Sequence, residues 1–137
     1  MFAIDLPPPG ADDLVPIDRE VPLSRGRYLL DRQEQYRGRI VKFSLQLSAT
    51  VDGRREVIAQ INTSHGTVQM RTFARGGRED VRVIQEIPMD APGDFLDNAY
   101  LTAYEYLVSG ATGLVEAWHG QRSASVDEDE LGPISRG

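Results

Sequence analysis

The chain has 137 residues, of which 40% are apolar and 26% charged, and it carries a formal charge of -6. These proportions are those of one globular domain and exclude a disordered chain. The absence of cysteine excludes a disulfide scaffold, a cysteine zinc site, an iron-sulfur cluster and a thiol nucleophile.

In chain order, residues 1–26 hold three consecutive prolines at 7–9 and two more at Pro16 and Pro22, with neither helical nor alternating periodicity. Such a stretch is expected to form an extended, polyproline-like arm that lies along the domain or reaches a neighbour. Its first residues, M-F-A-I-D-L-P-P-P-G, lack the basic start and apolar block of a secretory signal. No run in the chain approaches the roughly 18 apolar residues that span a bilayer. The matching expectation is a cytoplasmic protein with no membrane contact.

A single α+β domain is expected over residues 27–119. A short strand, R-Y-L-L-D, opens it and leads into the polar connection Q-E-Q-Y-R-G. Next, Phe43, Leu45, Leu47, Ala49 and Val51 alternate with Lys42, Ser44, Gln46 and Ser48, the period of a half-buried strand. Asp52-Gly53 tolerates positive φ and predicts a type I′ hairpin turn, from which a strand over 57–62 returns antiparallel. The segment N-T-S-H-G reverses the chain again, into a strand where Val68, Met70 and Thr72 share one face. The loop A-R-G-G-R-E-D then separates it from V-R-V-I-Q-E-I-P, completing an antiparallel meander of four or five strands.

Beyond Pro88, Leu96, Ala99, Tyr100, Ala103, Tyr106 and Leu107 recur at three- and four-residue spacing. That period predicts a helix over 94–109 packed on one face of the sheet. Asp94 suits its cap, Asp97 its positive N-terminal end, and Gly110 a left-handed stop. A second short helix, L-V-E-A-W-H, is expected after Gly113, and residues 120–137 form an acidic tail containing S-V-D-E-D-E-L.

Charge is unevenly distributed. Residues 1–18 carry four acids and no base, residues 19–82 carry thirteen bases against seven acids, and residues 83–137 carry two bases against ten acids. A basic middle between acidic ends suits either a polyanion-binding surface or internal neutralisation of a basic sheet by its neighbours. Of the bases fourteen are arginine and one is lysine, Lys42. Arginine forks onto phosphate and carboxylate better than lysine does.

His65 is the candidate catalytic residue, because imidazole both accepts and donates protons. Its place at a hairpin reversal gives it an equally direct conformational role. His119 offers a second imidazole, and with it a two-histidine acid–base pair of the kind that cleaves RNA. Neither histidine belongs to an H-x-x-x-H or clustered acidic motif, so no metal site and no cofactor are expected. Arg71, Arg75 and Arg78 are the candidates for binding phosphate or a partner. No G-x-S-x-G elbow or phosphate-binding loop motif is present.

The run I-N-T-S-H-G, then F-A-R-G-G-R at 73–78, then I-P-M-D and the helix D-N-A-Y-L-T-A-Y-E-Y-L resemble a family of short, largely uncharacterised actinobacterial proteins with an I-D-T-A-H-G-like signature. The likeness covers residues 27–118. The same strand-turn-strand pattern distantly resembles TumE-type toxins of toxin-antitoxin modules, which implies RNA-directed activity and a cognate partner. Where the resembling sequences continue as H-G-x-x-H-x-H, this chain has Gln69 and Arg71. Glutamine does not titrate and arginine stays protonated, so the departure favours a binding role over an enzymatic one.

The leading expectation is a non-catalytic interaction or assembly protein that binds a protein or nucleic-acid partner, or a further copy of itself, through an arginine-rich sheet face and its terminal arms. The alternatives are a toxin-like ribonuclease using His65 and a structural subunit of a phage or other large assembly.

Overall fold

Three two-residue turns set the architecture. At Arg37-Gly38, Asp52-Gly53 and His65-Gly66 both residues have positive φ, between 50° and 80°. This is the conformation of the type I′ turn, whose twist matches that of the strands it joins. The computed structural model describes residues 13–75 and 77–131, with side chains to residue 120. Within it the strands are β1 (Val15–Ser24), β2 (Arg27–Tyr36), β3 (Arg39–Val51), β4 (Arg54–Ser64), β5 (Thr67–Phe73) and β6 (Glu79–Glu86). They form one antiparallel sheet in the order β1-β2-β3-β4-β5-β6, followed by one helix, α1 (Phe95–Leu131).

The α+β class with an antiparallel meander stands, but the sheet has six strands where four or five were expected. The additional strand, β1, lies within the segment expected as an arm. Val21 and Leu23 pack against the core at a spacing of two, and β1 pairs with β2 along its length. Its prolines at 16 and 22 are tolerated because an edge strand leaves one side of its backbone unpaired. Residues 1–12 of the expected arm lie outside the described residues. Strand β2 also outruns the short strand expected, because Gln33 and Tyr36 within the supposed polar connection are buried.

Alternation sorts most residues of the sheet as the sequence pattern requires. The exception is the register shift after Leu47, where Ser48, expected on the exposed face, is buried and Ile58 and Ala59 are buried in succession. Leu29 on β2, Phe43, Leu45, Leu47 and Ala49 on β3, Ala59 and Ile61 on β4, and Val68 and Met70 on β5 are buried on the helix side. The opposite face carries Lys42, Ser44, Gln46, Gln60, Gln69 and Arg71, with the Gln60 amide donating to Ser44 Oγ at 3.0 Å.

Asp94 takes the N-cap position of α1, its carbonyl accepting from the Asn98 amide at 3.0 Å. Gly110 does not end the helix, and the segment expected as a second helix continues the first. Leu107, Ala111, Val115 and Trp118 extend the buried row at spacings of four, four and three. Burying that row offsets the roughly 1 kcal/mol that each glycine costs within a helix. The helix crosses mainly β3 and β4, which leaves β6 uncovered.

Candidate functional site

His65 is exposed at the β4–β5 turn and has a φ of 50°. It shares a groove of about 660 Å³ with Val41, Lys42, Thr63, Ser64, Ile87, Pro88, Met89 and Leu96. The chain reaches this arrangement by returning after β6 to the same end of the sheet, where the Ile87 amide donates to the Gly66 carbonyl at 2.9 Å. Its walls are mainly apolar, with Lys42, Thr63 and Ser64 as further polar side chains, and among the described residues no carboxylate lines the groove to orient or assist the imidazole. Among the described residues, none stands where the third group of a nucleophile-base-orienter arrangement would orient His65.

The two-histidine pair is not formed. Leu96 touches the same groove as His65, whereas His119 lies 23 residues further along α1. At the helical rise this places it about 35 Å away. Arg75 is also at the far end, its guanidinium 4.7 Å from the centre of the Trp118 ring. Arg71 lies on the face of the sheet opposite the helix and pairs with Glu79. Arg78 is exposed in the β5–β6 connection, where its carbonyl accepts from Ala74. The four candidate residues are thus spread over both ends and both faces of the sheet, and no common phosphate cradle joins them.

Several arginines of the sheet are paired with carboxylates of the fold itself. Arg32 pairs with Asp18, Arg39 with Asp97 and Arg54 with Glu56. Arg55 reaches from β4 to Glu20 on β1, at 3.0 Å, and lies 3.9 Å over the Tyr28 ring on the way. Surface pairs of this kind add little stability, and each offsets the positive charge of one arginine locally.

Sequence reasoning missed a buried polar cluster. Asp31 is fully buried beneath α1, accepting from Tyr100 Oη at 2.5 Å, from Arg19 Nε at 2.9 Å and from Gln33 Nε2 at 3.2 Å. Burial above all, and then the Asp31 carboxylate, raise the Tyr100 phenol above its ordinary range, and Arg19 partly opposes this. The carboxylate in turn raises the Arg19 guanidinium. The signal was present in the alternation: Asp31 lies between Leu29 and Gln33 on the core side of β2. Every acceptor contact within the cluster is internal to the fold, so it anchors the helix to the sheet rather than facing a ligand.

The two edges of the sheet differ sharply. Strand β1 carries Pro16, Pro22 and the charged run Asp18-Arg19-Glu20, features that blunt an edge. Strand β6, E-D-V-R-V-I-Q-E, has no proline, and all eight of its residues are exposed. Val81, Val83 and Ile84 are each close to half exposed. Among the described residues it is blunted by the charged side chains of Glu79, Asp80, Arg82 and Glu86 and by a bulge at Ile84, where Val68 pairs with Gln85 and Gln69 with Val83.

Among the described residues no group of three or more His, Asp or Glu could hold a metal ion, and no helix is long and apolar enough to cross a membrane. Comparison with family models, with curated proteins and with solved structures finds no match.

Proposed function

We propose that the protein is a non-catalytic interaction or assembly module that engages its partner by strand addition along β6. One observation carries this reading: an eight-residue, proline-free edge strand is exposed on both faces and presents Val81, Val83 and Ile84 half-exposed, while the opposite edge is interrupted by two prolines. Native sheets blunt edges that must stay single, and an edge left open offers a row of backbone donors and acceptors to an incoming strand. The internal pairing of Arg32, Arg39, Arg55 and Arg71 favours a protein partner over a nucleic acid.

The test is the size of the complex formed by the chain in extracts of its own cell, compared with a Val81→Lys/Val83→Lys variant. The variant should keep the melting temperature of the wild type and lose the complex. A complex unchanged by the two lysines would rule out the β6 edge as the binding surface.

The toxin-like ribonuclease reading has one observation in its favour, the groove that His65 lines. It requires that expression of the wild type degrade cellular RNA and that His65→Ala not do so. Intact RNA in both removes it.

A further inference from the structure

We infer that the strand added to β6 is the β6 of a second copy, in a two-fold antiparallel register centred on Val81. This rests on the strand-addition reading above and names its partner.

Two-fold pairing of an antiparallel edge places residues of the same face opposite one another, so the axis passes through a residue rather than between two. Within the regular part of the strand, ahead of the bulge at Ile84, charge decides among the registers. An axis through Asp80 sets Asp80 against Asp80 and Arg78 against Arg82. An axis through Arg82 sets Arg82 against itself. An axis through Glu79 sets Glu79 against itself. Each confronts like charges directly across the strands, which is destabilising. An axis through Val83 opposes Arg82 to Ile84 and so runs through the bulge, outside the regular ladder. An axis through Val81 gives Asp80 opposite Arg82 twice, Glu79 opposite Val83 twice and Val81 opposite Val81, with no like pair.

The faces agree with this register. Val81 pairs with Arg71 of β5 and so lies on the side away from α1, as does Val83. The two copies would bring four half-exposed valines together on that side, while the Asp80 and Arg82 pairs form on the helix side. Because the prolines of β1 disfavour a head-to-tail β1-to-β6 contact, the association closes at two copies and yields one sheet of twelve strands.

The chain has no cysteine, which makes a register test direct. Val81→Cys should form a disulfide-linked dimer under mild oxidation, since directly opposed β-carbons lie within reach of a disulfide. Val83→Cys should not, because two Val83 positions are offset by four residues in this register. Independently, sedimentation equilibrium should show Asp80→Arg weakening the dimer about tenfold through two opposed arginine pairs. Asp80→Arg combined with Arg82→Asp should restore it. Cross-linking through position 83 but not 81, or a double variant no better than the single, would overturn the register. A purified wild type that stays monomeric at high concentration would overturn the second copy as partner. The β6-dependent complex in cell extracts would still stand or fall separately.

Discussion

His65 shows how one residue type serves two readings. Its chemistry suggested an acid or base, but its φ of 50° puts it in the same conformation as Arg37 and Asp52 in the other two-residue turns. Asparagine and glycine adopt that conformation readily, whereas a β-branched side chain resists it. His65→Asn should leave stability nearly unchanged and His65→Val should lower it by about 1–2 kcal/mol, read by chemical denaturation. The Asp31 cluster behaves differently because its polar atoms are buried. Tyr100→Phe removes a hydrogen bond to a charged acceptor and should cost about 2 kcal/mol.

The same cluster predicts a pH dependence. The folded state holds the Tyr100 proton more tightly than the unfolded state does. This contribution is therefore complete below the ordinary tyrosine range near pH 10 and is lost as the pH rises through the folded value. Wild-type stability should fall more steeply than that of Tyr100→Phe above about pH 10, a comparison that urea titrations at several pH values decide. Equal slopes would remove Tyr100 from the account.

At the level of elements, the strands with one buried face were legible where period two holds: β3 alternates from Phe43 to Leu47 as expected, and departs only at the register shift after Leu47, where Ser48 is buried with its neighbours. The sequence misled where a glycine or a proline was given the weight that packing later took. Gly110 and Gly113 lie inside α1 because Leu107, Ala111 and Val115 remain buried on either side of them. Pro16 and Pro22 lie in β1 because the edge needs no further backbone donors. Gly113 has an ordinary helical backbone, and an added β-carbon would meet nothing within 4 Å. Gly113→Ala should therefore raise stability by about 0.5–1 kcal/mol, measured as an upward shift in thermal midpoint. A downward shift would mean that the helix does not run unbroken through this position.

Across the whole molecule, local pattern gives out as a guide. Residues 81–88 read as a strand from their own sequence, and the structure shifts it to Glu79–Glu86 by taking in two residues of the expected loop, but its status as an open edge depends on what lies beside it. It follows from the consecutive order of the meander and from the path of α1 over β3 and β4. The spread of His65, Arg71, Arg75 and Arg78 over opposite ends and faces is likewise a property of topology, which residue spacing did not reveal. The overall charge of -6 repels a second copy at long range, so association through β6 should tighten with added salt up to the point where the Asp80 and Arg82 pairs are themselves screened. Light scattering across a salt series checks this, and monotonic weakening from the lowest salt would count against it.

Amide hydrogen exchange along the two edge strands, followed from dilute to concentrated protein, tests the central claim most directly. Amides of β6 should become protected as concentration rises while those of β1 stay unchanged, with the gain confined largely to residues 79–83. Exchange in β6 that is as fast in concentrated as in dilute protein, and equally fast in the complex recovered from cells, would contradict the reading of β6 as the working surface.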